Sequence, residues 1–149
     1  MKNSEKMLSA IEAQDLVQAE QWFEKAMLED SDSILLDLAE YLESIGFFLQ
    51  AKRIYNKLAP LYPQVNLNLA AIASEDGDLE EAFGYLEEIR SNDPWYVNAL
   101  MIKADLYQME GLPDVAREKL VEASQLSDDP IITFGMAEID FELGNFTQA

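Results

Sequence analysis

At 149 residues the chain has room for one ordinary domain or a short repeat array with a real hydrophobic interior. Its 29 acidic residues stand against 10 basic ones, and the formal charge of -19 has the wrong sign for gripping a phosphate backbone, so nucleic acid is not an expected partner. With no Cys and no His, disulfides, thiolate chemistry, zinc sites of the usual kind and His-activated nucleophiles all fall away, and no catalytic residue, metal or cofactor is expected.

The opening segment, MKNSEKMLSAIEAQD, is interrupted by Glu5, Lys6 and Glu12 and cannot serve as the apolar core of a secretory signal. No stretch approaches the roughly 20 apolar residues of a membrane span, so the expectation is a soluble, cytoplasmic protein that engages no membrane. Past this opening the chain repeats itself. Ala39, Ala70, Ala104 and Ala137 each stand seven residues before a Gly, and GFFLQA, GDLEEA, GLPDVA and GNFTQA each place an Ala five residues after it, a unit A-x6-G-x4-A. The Gly positions, 46, 77, 111 and 144, are separated by 31, 34 and 33 residues, within the range of solenoid repeats. A weaker copy leads the array, with Gln14 in the Gly place, Ala19 five residues later, and Phe23 and Ala26 continuing at helical spacing.

Each unit reads as two helices and a turn. Leu35, Leu38, Ala39 and Leu42 recur at helical spacing before Gly46, and Ala51, Ile54, Tyr55 and Leu58 do so after it. Gly between them adopts the positive φ that ends a helix, and the two small Ala positions let antiparallel backbones approach closely. Tyr62-Pro63, Asp93-Pro94 and Asp129-Pro130 mark the joints between units, with Pro at the first helical position and Asp as its cap. Pro130 lies 19 residues after Gly111 where Pro63 and Pro94 lie 17 after their Gly, which predicts a slightly longer third joint.

Leu35, Leu38, Ala39, Leu42, Gly46, Ala51, Tyr55 and Pro63 resemble the tetratricopeptide repeat pattern, and the resemblance covers essentially the whole chain. Asn66 and Thr133 depart from it at the usual large first position, and Lys103 stands where Leu is expected. The acidic array opening at Met1 is similar to cytoplasmic members from Gram-positive bacteria. The resemblance implies an all-α fold, a right-handed α-solenoid of antiparallel helix hairpins, in a single array of about five units near 1–30, 31–63, 64–94, 95–129 and 130–149. Ala149 falls where the last unit's second helix would begin, so the array is expected to be cut from a longer one. Phe134, Met136, Phe141, Leu143 and Phe146 would then be uncovered and open to self-association.

In the resembled family the first helix of each unit lines a concave groove through its positions 2, 5, 9 and 12, counted with the turn Gly as 15. Carried over, these are Ser33, Leu36, Glu40 and Glu43; Gln64, Leu67, Ala71 and Ser74; Asn98, Met101, Asp105 and Gln108; and Ile131, Phe134, Glu138 and Phe141. None is Lys or Arg, so the family's clamp on a carboxylate tail, which needs cationic donors, is excluded. What the resemblance implies is an acidic and apolar groove, centred on Leu36, Glu40, Glu43, Leu67, Asn98, Met101, Asp105, Gln108, Phe134, Glu138 and Phe141, for a peptide or helix of another protein. A basic amphipathic segment is the expected ligand. Charge runs also mark solvated faces. Two other readings stand beside this scaffold: a self-assembling module through the C-terminal repeat, and an acidic mimic of nucleic acid that occupies a basic protein.

Other constellations reduce to structure. Glu80-Glu81 and Glu87-Glu88 are expected on wet helix faces, away from any pocket that would raise a carboxyl pKa. Asp76-Gly77-Asp78 and Glu29-Asp30-Ser31-Asp32 lack the spacing of a calcium loop and read as caps and turns. Asn145-Phe146-Thr147 fits a glycosylation sequon that has no meaning without a secretory signal. Trp22-Phe23 and Trp95-Tyr96 are expected in the core.

Overall fold

The computed structural model describes residues 2–144. Nine helices follow one another among them: α1 (Asn3–Glu12), α2 (Leu16–Glu29), α3 (Asp32–Ser44), α4 (Phe48–Leu58), α5 (Val65–Glu75), α6 (Leu79–Glu87), α7 (Tyr96–Met109), α8 (Pro113–Ser124) and α9 (Pro130–Glu142). The fold is all-α and of the helix-hairpin solenoid class. The start of a second helix in the fifth unit, with Phe146 and Ala149, lies outside the described residues.

The turns follow one rule. Gly46, Gly77 and Gly111 have φ of +88°, +80° and +76°, and the residue after each donates its N–H to the carbonyl five residues back, as Phe47 does to Leu42 at 2.8 Å and Asp78 to Ala73 at 2.9 Å. This is the bonding pattern of a helix closed by a left-handed residue. Gln14 makes the same turn at φ +60°, with Asp15 N–H donating to the Ala10 carbonyl at 2.9 Å, so it occupies the Gly place in conformation as well as in spacing. The next helix is capped where the side chain allows it: Asp15 accepts from Gln18 N–H and Asp78 from Glu81 N–H.

The joints differ from expectation. Of the three joint prolines only Pro130 is a first helical residue, capped by Asp129 through Ile131 N–H at 3.1 Å. α5 and α7 begin two residues after Pro63 and Pro94. The Asp93 carboxylate accepts instead from Arg90 N–H at 2.8 Å, closing a turn before the helix. The third joint, residues 125–129, is the shortest of the three, because the additional residues after Gly111 extend α8. Residues 88–95 form the longest joint and leave Trp95 exposed at the start of α7, out of the core. Phe23 is fully buried, whereas Trp22 is half-buried with the Lys6 and Lys25 ammonium groups over its ring.

Two compact units divide at Val65 and Asn66. In the first, Met7, Phe23, Leu35, Leu42, Ile54 and Tyr55 form the core, and Ala39 and Ala51 are wholly buried between α3 and α4. Arg53 on α4 donates to Glu24 on α2 through its two terminal guanidinium nitrogens, which holds Glu24 below and Arg53 above their ordinary pKa values. The second helices of this unit, α2 and α4, are thus tied together by polar contacts.

In the second unit, Ala70, Ala73, Ala82, Leu86, Ala99 and Leu106 pack together from α5, α6 and α7. Leu100, Ala104, Ala116, Leu120, Ile132 and Ile139 do so from α7, α8 and α9, with Met136 and Leu143 against them, so these last two are covered and not part of an open end. Gly135 allows α9 to lie close to α8, since a Cβ there would come within 3.1 Å of Leu120. Lys103, the departure from the repeat pattern, is buried and reaches Glu87 on α6 at 3.1 Å. Asn66, the other departure within the core, is buried as well.

Candidate functional site

Helices without cations occur among both first and second helices, α6 with Glu80, Glu81 and Glu87 being one of the second. Among the described residues α3, α5 and α9 contain no Lys or Arg, and the single cation of α7, Lys103, is buried against Glu87. Asp32, Asp37, Glu40 and Glu43 on α3, Asp105 on α7, and Glu138, Asp140 and Glu142 on α9 therefore dominate these helices.

In the first unit Leu36 is half-buried and Glu40 exposed, but Glu43 accepts a hydrogen bond from the Tyr55 hydroxyl at 2.8 Å, so it fastens α3 to α4 instead of standing free. The crevice of this unit opens on the other flank of α3. Lys2, Glu5 and Leu8 form one wall, and Ile34, Asp37 and Tyr41 the other, around an open space of about 260 Å³. Counting positions 2, 5, 9 and 12 missed Asp37 and Tyr41; the helical spacing of Ile34, Asp37 and Tyr41, one turn apart along α3, was the available signal.

In the second unit Leu67 is half-buried, Asn98 is exposed, and Met101 and Gln108 are half-buried. Asp105 is exposed, yet the packing around it removes part of its hydration, and with the nearby negative charge of Glu138 this raises its pKa. Phe134, Glu138 and Phe141 come together with Ala137 and Glu142 around an open space of about 330 Å³, the two Phe rings 63% and 70% exposed. Below this face α9 is held to α8 by a two-point ion pair, Arg117 Nε to Asp140 Oδ1 at 2.7 Å and Nη2 to Oδ2 at 3.1 Å. Asp140 is thereby engaged in packing, while Glu138 and Glu142 stay exposed.

The remaining acidic motifs have structural partners. Ser31 caps α3, and Asp30 accepts from Asn3 Nδ2 at 3.1 Å and from Ser4 N–H at 3.2 Å, tethering α1. Glu80, Glu87 and Glu88 lie exposed as expected, Glu87 reaching the buried Lys103 from its wet face, and only Glu81 is drawn in, accepting from the Tyr85 hydroxyl. Tyr96 donates to Glu122 at 2.6 Å, which raises the Tyr96 pKa. Among the described residues no group of three or more acidic side chains is arranged to hold a metal ion, and no helix is long and apolar enough to cross a membrane.

Helix hairpins closed by left-handed turns, with paired small Ala residues at their crossings, define a helical repeat protein of the solenoid class. Residues 108–149 match the family described as YpiA-like, tetratricopeptide repeats. The TPR repeat-containing protein YpiA of Bacillus subtilis (strain 168) is 32% identical over 126 residues, which are 82% of this chain and 29% of YpiA. The chain thus spans less than a third of that relative's length.

Three solved structures share the fold. A tetratricopeptide repeat protein from Parabacteroides merdae ATCC 43184 superposes with a TM-score of 0.70 at 19% identity, over 97% of this chain and 60% of its own. MamA gives 0.61 at 17% identity over 83% of this chain and 75% of its own, and the thermophilic protein TTC0263 of Thermus thermophilus gives 0.57 at 21% identity over 95% and 81%. The family match, the relative and the shared fold together support a tetratricopeptide repeat protein.

Proposed function

We propose that this chain is a non-catalytic scaffold that presents its first-helix faces to a segment of another protein, a cytoplasmic partner with basic residues between apolar anchors. The tetratricopeptide fold typically serves protein–protein interaction, which supports the class of function. What carries the finer reading is the composition of the faces: α3, α5 and α9 have no cation, and half-buried or exposed apolar side chains at Leu36, Leu67 and Phe134 stand on the same helices as carboxylates. An apolar anchor gives area, and complementary charge gives selectivity and rate of encounter.

The test is affinity capture from lysate of the native cell with the wild-type chain and with a Glu40→Lys, Asp105→Lys, Glu138→Lys variant that circular dichroism shows to be folded. The expected result is a partner held by the wild type, released by salt and lost from the variant. Identical captured sets would sink the acidic-face reading. A second reading, self-association, draws on the exposed Phe134 and Phe141. The surrounding Glu138 and Glu142, and a charge of -19 on each copy, oppose it.

A further inference from the structure

The crevice between α1 and α3 shares Asp37 with the acidic face of α3 but is not lined by Leu36, Glu40 or Glu43. Its floor is apolar: Leu8 and Ile34 are half-buried and Leu38 is 3% exposed. Glu5 on α1 and Asp37 on α3 rise from opposite walls, with Lys2 also on its lining and the half-exposed Tyr41 ring beside Asp37 on α3. Among the described residues no hydrogen bond or ion pair engages the side chains of Lys2, Glu5 or Asp37. In the same unit Glu43 is engaged by Tyr55, Arg53 by Glu24 and Asp30 by Asn3.

The walls are fixed before any partner arrives. Asp30 grips Asn3 and the Ser4 N–H at the start of α1, and Met7 and Ala10 anchor the opposite side of that helix in the core. A preformed crevice loses no binding energy to ordering itself. Its volume, about 260 Å³, falls short of the roughly 300–1,000 Å³ that enclose a small-molecule ligand, and it is open. That space suits one bulky side chain of a chain running across it.

We propose that the α1–α3 crevice is a selectivity subsite for a bulky apolar side chain adjacent to an Arg or Lys in the partner segment, the apolar group seated on Leu8, Ile34 and Leu38 and the cation held between Glu5 and Asp37. The proposal rests on the acidic-face reading and deepens it by assigning a place and a dipeptide chemistry. Arg is favoured over Lys, because its planar guanidinium both pairs with carboxylates and lies over the Tyr41 ring. A second copy of this acidic chain is disfavoured as occupant by its own charge.

The probes are Ac-Phe-Arg-NH2, Ac-Phe-Glu-NH2 and Ac-Gly-Arg-NH2, titrated to millimolar concentration into the 15N-labelled chain and followed by amide shifts. Ac-Phe-Arg-NH2 is expected to give saturable shifts centred on α1 and α3, with affinity about fivefold above that of Ac-Phe-Glu-NH2, the scale of an exposed charge pair. The isosteric pair Glu5→Gln/Asp37→Asn is expected to remove that preference with an unchanged circular dichroism spectrum. Shifts from Ac-Phe-Arg-NH2 confined to α9 would overturn the crevice and leave the acidic-face reading standing. Equal binding of the Arg and Glu probes at every site would overturn both, and stronger binding of Ac-Gly-Arg-NH2 than of Ac-Phe-Arg-NH2 would overturn the apolar half of the subsite.

Discussion

The same alanine meets opposite fates in α3 and α9. Ala39 and Ala137 each stand seven residues before a Gly of positive φ, yet Ala39 is wholly buried against α4 while Ala137 is exposed beside Phe134 and Phe141. Both helices form, and Gly144 N–H donates to Phe141 as Gly46 N–H does to Glu43. Helix and turn are therefore local properties of the repeat, set by propensity and by one left-handed residue, whereas burial is a property of the neighbour.

Enlarging the two alanines breaks the comparison most sharply. Ala39→Leu forces added methyl groups between α3 and α4, where no volume is free, and is expected to cost about 1–3 kcal/mol in urea denaturation. Ala137→Leu projects into an open space and is expected to stay within about 0.5 kcal/mol of wild type. A cost at Ala137 equal to that at Ala39 would mean that α9 is covered in solution.

The turns give the next largest effects. A Cβ on Gly46 would meet nothing within 4 Å, so Gly46→Ala isolates the penalty of a left-handed backbone, about 1 kcal/mol of lost stability. Gln14 already bears such a penalty at φ +60°, and Gln14→Gly is expected to raise stability by about 0.5–1 kcal/mol, the mirror of the first change and read in the same denaturation experiment. A loss of stability at Gln14→Gly would show that the side chain does more than occupy the turn.

These turns were legible in the sequence because Gly takes a positive φ without the steric cost a Cβ brings and recurs at a fixed spacing, although Gln14 makes the same turn. The hairpins followed, since Ala39, Ala51, Ala70, Ala82, Ala104 and Ala116 mark crossings where only small side chains fit, and all are buried. The joints were less legible. Pro constrains its own φ but does not fix where the next helix begins, so α5 and α7 start later than Pro63 and Pro94 suggested, and Trp95 sits outside the core. The candidate site was legible in part. Position counting picked residues on one flank of each first helix and included Glu43, whose bond to Tyr55 no spacing reveals; it passed over Asp37 and Tyr41, which matter only because α1 lies opposite them.

The smallest effect concerns Asp105, where a polar face has been partly dehydrated. Its folded-state pKa is raised first by lost hydration and then by the charge of Glu138, so the folded protein binds this proton more readily than the unfolded chain does. Ionisation is then unfavourable to the fold: as pH rises from the ordinary carboxylate value through the raised one, stability at this site declines, and above it the penalty is constant. Asp105→Asn removes the titration. The variant is expected to have a slightly higher urea midpoint than wild type at pH 7, with the gap closing as the pH falls below the ordinary carboxylate range. Asn98, equally exposed on α7 and uncharged, is the control: Asn98→Ser should show no such pH-dependent gap. A gap at Asp105 that widens on acidification would mean that the carboxylate is stabilised in the fold, and would place an unrecognised cation or donor beside it.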